Sequence, residues 1–260
     1  MAKVALITGG SSGIGLALAK HLVARGWDIV LADLQPPKAS DDLPKDRTLY
    51  ISTDVASFES QARIRPRRYI RLNRPLQPSP EARHVTFDVD LFGVYYGIKL
   101  YAHYAARNPT PGGKIIITSS AAGFYPNPAI PQYAAAKHAL IGLVRSLAPH
   151  SARHNITINT VAPTFVNTNI EPKEVKGAIS AEHQTPMSVI IQGFDELMDE
   201  EKGHNGAAVE GCQDGLYYRQ PIEVVSPSAK RLREAGDMQK WVELYVQRNV
   251  ERMRRSQKAR

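Results

Sequence analysis

The chain has 260 residues, 43% hydrophobic and 22% charged, with a formal net charge of +8. This balance is that of a globular chain long enough to bury a sizeable core, and the length suits one large α/β domain. A single cysteine, Cys212, excludes an intramolecular disulfide and points to a reducing, cytoplasmic setting; no apolar run reaches membrane-spanning length.

The first residues lack the pattern of a signal peptide and enter a strand directly. Lys3 to Thr8 reads as a buried parallel strand, Gly9 to Gly15 as a glycine-rich turn, and Leu16 to Arg25 as a helix that Gly26 ends. Asp28 to Ala32 is a second strand, closed by Asp33, and Thr48 to Thr53 a third, closed by Asp54. Residues 56–83 are rich in Arg and Pro and fit no clean helix. From Val85 the pattern resumes. Helices are predicted over Phe87 to Arg107, Gln132 to His150 (with Pro149 at the end) and Pro186 to Asp199. Strands are predicted over Lys114 to Thr118, Asn155 to Val161 and Ala207 to Gly211. Gly236 to Arg254 reads as a basic amphipathic helix. The order predicts an α/β fold: a single Rossmann-like, doubly wound parallel sheet with helices on both faces. The domain spans 1–225, and 226–260 form a basic helical tail.

The positive charge collects in two places. One holds Arg63, Arg65, Arg67, Arg68, Arg71, Arg74 and Arg83; the other is the tail, including Arg252, Arg254 and Arg255. Such patches can meet nucleic acid or acidic lipid. No nucleic-acid motif accompanies them, so solvated surface is the simpler reading and no nucleic-acid partner is expected.

The run Gly9-Gly10-Ser11-Ser12-Gly13-Ile14-Gly15 lies between a strand and a helix, the setting a dinucleotide loop requires. Glycines allow a sharp turn and close approach to a pyrophosphate, and the helix start offers free N–H groups. Asp33, at the end of the second strand, can accept hydrogen bonds from the adenosine ribose and would repel a 2′-phosphate. Ser11 and Ser12 stand in the loop with no Arg or Lys beside them. NAD is therefore expected in preference to NADP. A structural turn and a strand-capping Asp are the plainer alternatives.

Tyr133 and Lys137 are four apart on a predicted helix and share a face. An ammonium beside a phenol favours the phenolate, which makes a tyrosine usable as a general base. Ser120 lies just past the strand Lys114 to Thr118, where ligands bind in open parallel sheets. Its hydroxyl could hold a reacting oxygen near Tyr133. Ser119 is the neighbouring alternative, and either serine could simply cap a turn. No metal-ligand set is read.

Taken together, the glycine loop, Ser120, Tyr133-x3-Lys137 and Pro163-x2-Val166-x-Thr168 resemble the short-chain dehydrogenase/reductase family over residues 3–60 and 85–215. Within it, Phe165 to Thr168 and Gln132 to Gly142 resemble NAD-dependent 15-hydroxyprostaglandin dehydrogenases and their fungal relatives. The resemblance implies that Tyr133 exchanges a proton with the substrate oxygen, while Lys137 assists it and binds the nicotinamide ribose. Ser120 would orient the oxygen. Ile14 and the glycine loop would hold the pyrophosphate, Asp33 the ribose and Asp54 the adenine. Val166 and Thr168 would hold the carboxamide end of the nicotinamide. By analogy, the two long helices would build a homodimer or homotetramer.

Three departures stand out. The family's Asn-Asn-Ala-Gly motif is missing; Tyr69 to Leu76 is its degenerate counterpart, a fourth strand at 69–73 preceded by a helix shortened to about Ser57 to Arg65. The Arg/Pro segment is either genuine divergence or sequence foreign to the fold, such as retained intron. Asp90 stands where the family has a catalytic Asn, and it could pair with Lys137 and weaken its help to Tyr133. The loop between Thr168 and Pro186 is short, which predicts an open pocket or one closed by the tail. The expected function is hydride transfer between NAD and a secondary alcohol or carbonyl compound. The alternative is a dinucleotide-binding relative with impaired catalysis.

Overall fold

The computed structural model describes residues 3–64, 85–108, 110–169, 177, 179–234 and 248. Contacts divide the chain into two units, Met1–Arg219 and Gln220–Arg260. The first begins β1 (Val4–Thr8), α1 (Gly13–Ala24), β2 (Asp28–Asp33), β3 (Thr48–Ser52) and a short α2 (Phe58–Ala62). After the undescribed residues come a helical turn, α3 (Val85–Phe87), a π-helical segment (Asp88–Gly93) and α4 (Val94–Ala105). Then follow β4 (Gly113–Thr118), α5 (Pro131–Ser151), β5 (Ile156–Pro163), α6 (Met187–Met198), β6 (Ala208–Cys212) and β7 (Gly215–Tyr218). The second unit contains α7 (Pro227–Glu234). The helix expected at Gly236 to Arg254 lies outside the described residues apart from Arg248, and so does the fourth strand at 69–73.

Strands β1, β2 and β3 pair in parallel, and so do β4, β5 and β6; β7 turns back antiparallel on β6. The hairpin to β7 was not anticipated. Its turn, Gln213-Asp214-Gly215, carries the Gly at φ +143 that the backbone there demands. β5 behaves as an interior strand. It has β4 on one side and β6 on the other, and all but one of its residues are buried. β1 differs from the sequence expectation of a wholly buried strand. Ile7 is buried, but Val4 is 64% and Leu6 47% exposed. Val4, Leu6 and Thr8 alternate along the strand and share one face, which is the exposed one.

Helices cover both faces. On one, α1 and α6 pack Leu22, Ile190 and Leu197 against Leu31, Val161 and Val209, which ties both strand groups into one core. On the other, Ile98 of α4 and Leu140 and Val144 of α5 cover Ile117 and Ile158. Pro131 sits in the first turn of α5, where its missing N–H costs nothing. Pro149 does not end this helix: it continues to Ser151, whose hydroxyl donates to Leu147 O at 3.0 Å. No helix among the described residues is long and apolar enough to cross a membrane.

Leu140 is fully buried in the cluster that includes Ile117 and Ile158. Leu140→Ala should cost about 2–5 kcal/mol by the lost transfer energy and the cavity left behind. Urea unfolding of the variant measures this.

Candidate active site

Five of the positions singled out from sequence lie at or just past the carboxyl ends of parallel strands, where α/β sheets bind ligands. Gly9 follows β1, Asp33 ends β2, Asp54 follows β3, Ser120 follows β4 and Val166 follows β5.

The glycine loop is fixed by backbone contact. Gly9 N donates to Ala32 O at 2.8 Å, and Gly9 takes φ +64. Gly15 lies so close to the turn that a Cβ there would be 2.2 Å from Gly9 O. Gly10 is equally confined, 2.7 Å from Leu31 Cδ2 by the same measure. The loop therefore folds flat, and α1 starts at Gly13 with no side-chain cap from Ser12. Thr168, from the segment after β5, packs beside Gly13: a Cβ on Gly13 would be 3.5 Å from Thr168 Cβ. Ile14 packs partly buried against the core, and Val166 is 8% exposed within it.

Asp33 turns toward this loop. Its Oδ2 accepts from Ser11 N at 3.0 Å and its Oδ1 from Gln35 N at 3.4 Å. Ser11 Oγ is buried without a hydrogen-bond partner, an orphan that a bound phosphate or ribose would satisfy. This orphan and the glycine-lined cradle fit a dinucleotide. Asp54 is exposed at the far end of the row; its Oδ1 accepts from Ala56 N at 2.9 Å and closes a turn.

At the other end, α5 carries Tyr133 and Lys137 on one face. The Lys137 ammonium lies 5.3 Å from the Tyr133 ring centre. It donates to Asp90 Oδ1 at 3.1 Å and to Thr118 O at 3.4 Å, and its side chain is 10% exposed. Asp90 comes from the π-helical segment, a rare winding that recurs at functional sites. Gly93 lets this segment press against the loop after β3, since a Cβ there would be 2.8 Å from Val55 O. Gln61 stitches the same place, donating to Val55 O at 2.7 Å and to Gly93 O at 2.8 Å.

The two serines separate. Ser119 is 3% exposed and its hydroxyl donates to Lys137 O at 3.1 Å, so it is a staple between β4 and α5. Ser120 is partly exposed; its Oγ accepts from Ala122 N at 3.2 Å. Its hydroxyl also donates to Pro163 O at 3.5 Å. Sequence reasoning missed Thr185, whose hydroxyl bonds that of Thr164 and whose N–H donates to Phe165 O at 2.7 Å. This pair anchors the loop of Val166 and Thr168 across residues 166–184, a separation with no local pattern to betray it.

The model of the family described as short chain dehydrogenase matches residues 3–65 and 76–178. The short-chain dehydrogenase/reductase prx6 of Penicillium rubens is 29% identical over 259 residues, covering 84% of this chain and 86% of that protein. Human 15-hydroxyprostaglandin dehydrogenase [NAD(+)] is 33% identical over 186 residues, covering 65% of this chain and 70% of the enzyme. The structure of 4-hydroxyisoleucine dehydrogenase complexed with NADH superposes with a TM-score of 0.65 at 21% identity, covering 80% of this chain and 96% of that one. With a family match over more than half its length, on a Rossmann-like fold, the chain belongs to the short-chain dehydrogenase/reductase family and is an oxidoreductase of that class.

Proposed function

We propose that the protein interconverts a secondary alcohol and a carbonyl compound with NAD, using Tyr133 as acid and base. The observation that carries this reading is the Lys137 ammonium 5.3 Å from the Tyr133 ring, on a helix that starts just beyond the Ser120 turn. The relatives support it: two carry dehydrogenase in their names, and the human enzyme is named for NAD(+). The setting this reading assigns is the cytosol, with a small-molecule substrate and a family-type dimer or tetramer.

A bound nicotinamide would supply the hydride acceptor or donor. The chain supplies the rest. Gly9, Ser11, Ser12, Gly13, Ile14 and Gly15 hold the pyrophosphate, Asp33 the ribose and Asp54 the adenine edge. Val166 and Thr168 hold the carboxamide end. Ser120 donates to the substrate oxygen, and Tyr133 removes its proton in oxidation or returns it in reduction. The Lys137 ammonium favours the transient phenolate. Two of its three N–H donors go to Asp90 and Thr118, which leaves one for the ribose hydroxyls.

A second reading, a dinucleotide-binding protein with impaired turnover, is favoured by one observation. The Asp90 carboxylate lies 3.1 Å from Lys137 Nζ and draws on the same positive charge that should serve Tyr133. A neutral amide at that position would hold the ammonium without cancelling it.

Tyr133→Phe should lower turnover by about 10³-fold or more, the scale of a lost general base, with NAD affinity nearly unchanged. Nicotinamide absorbance with a panel of secondary alcohols measures the first, and fluorescence titration the second. Normal activity in this variant would remove Tyr133 from the mechanism. Asp33→Ala should weaken NAD and narrow the preference over NADP by about tenfold or more, the size of a lost hydrogen bond to a charged group. Competitive titration with both cofactors reads it. Asp90→Asn should raise the oxidation rate at neutral pH several-fold, roughly the effect of 1 kcal/mol; a drop would assign the Asp90 charge a helpful role.

A further inference from the structure

The most heavily buried acid among the described residues has no place in the scheme above. Glu210 sits in the middle of β6, between Ala162 of β5 and Tyr217 of β7, and is 4% exposed. A buried carboxylate is costly unless paired, and this one is paired on both oxygens. Oε2 accepts from the Tyr125 hydroxyl at 3.0 Å and lies 3.6 Å from Arg219 Nε; Oε1 accepts from the Cys212 thiol at 3.6 Å. The Arg219 guanidinium stacks 5.3 Å from the Tyr125 ring and 5.5 Å from that of Phe124. Its backbone is fixed in turn, since Arg219 O accepts from Arg145 Nη2 of α5 at 2.7 Å and Arg219 N donates to Ala208 O at 2.8 Å.

Tyr125 and Phe124 end the turn that begins at Ser120. Gly123 N donates to Ser120 O at 2.8 Å, and the amides of Phe124 and Tyr125 to Ala121 O at 2.9 and 3.0 Å. The Ser120 hydroxyl accepts from the amide of Ala122 inside this turn at 3.2 Å and donates to Pro163 O of β5 at 3.5 Å. Gly123 pins the base, being too close to Lys137 O and Ser119 Oγ to carry a side chain. The tip would otherwise be an exposed loop; Tyr125 is 44% exposed. We infer that Glu210 is a positioning residue: with Arg219 it forms a brace that holds Tyr125 and thereby the Ser120 turn in its working orientation. This deepens the reading of Ser120 given above and rests on it.

The electrostatics agree with a closed, unreactive network. Burial first, and the Glu210 carboxylate second, push the Cys212 thiol up to about 11 and the Tyr125 hydroxyl above its usual range. Neither group is tuned to react; both are tuned to stay protonated and donate to Glu210.

Hydrogen exchange of the full chain, read by mass spectrometry, tests the brace without needing a substrate. Tyr125→Phe removes one hydroxyl and should speed exchange at the amides of Gly123 to Tyr125 about tenfold, the size of one lost hydrogen bond to a carboxylate, with β5 unchanged. Glu210→Gln keeps an acceptor for Tyr125 and should preserve most of that protection. Unchanged exchange in Tyr125→Phe, or acceleration spread equally to β5, overturns the brace. In turnover assays Tyr125→Phe should lower kcat several-fold, about 1 kcal/mol, with NAD affinity unaltered; an unaltered kcat overturns the positioning role. A wild-type chain that turns over no alcohol sinks the dehydrogenase reading instead, while the exchange data still decide the brace.

Discussion

A nearly buried ammonium organises the contacts between α5, β4 and the π-helical segment. Lys137 arrives on α5 with a side chain only 10% exposed, and a cation in that position must be surrounded by acceptors. The structure provides them from two directions, Thr118 O at the end of β4 and Asp90 from the π-helical segment. Each acceptor fixes an element. The first ties α5 to the sheet, which Ser119 reinforces by bonding Lys137 O. The second fixes the winding before α4, where Gly93 and Gln61 press the segment against the loop after β3. Tyr133 acquires its place beside the ammonium as a result of these contacts, one helical turn away.

The dinucleotide end is built on a different principle. There the constraint is close backbone approach, with Gly15 against Gly9 and Gly10 against Leu31. No charge is needed to shape that cradle; the geometry follows from the missing side chains and the positive φ of Gly9 and Gly13. Asp33 adds the one carboxylate, and it faces the loop amide of Ser11. The two ends meet where Thr168 packs beside Gly13, and the Thr164–Thr185 hydroxyl contact holds that junction.

How much of this was legible in the sequence depends on whether the signal was local. The glycine loop, flanked by β1 and α1, is contiguous, and its spacing alone locates it. Tyr133 and Lys137 are related by helical period, and α5 places them together. Ser119 and Ser120 share one local context, so no pattern could rank them; burial of Ser119 does. The Glu210 network was invisible. Tyr125 and Glu210 are 85 residues apart and meet only because β6 lies beside β5. The exposure of Val4 and Leu6 was also hidden, because an apolar run reports what a strand could bury and not which neighbours it has.

Under the proposed mechanism two carboxylates, half-buried Asp90 and buried Glu210, each act on the reacting centre through another side chain. Their roles are opposed. Glu210 is paired with groups outside the chemistry, so its charge is spent on geometry and leaves the electrostatics of Tyr133 alone. Asp90 is paired with the one cation that Tyr133 needs, so it fixes position and subtracts charge together. At 3.1 Å the Asp90 carboxylate is in direct ion-pair contact with the Lys137 ammonium. An Asn would bring the same acceptor without the charge, so under the proposed mechanism the identity of residue 90 governs how much of the Lys137 charge serves Tyr133.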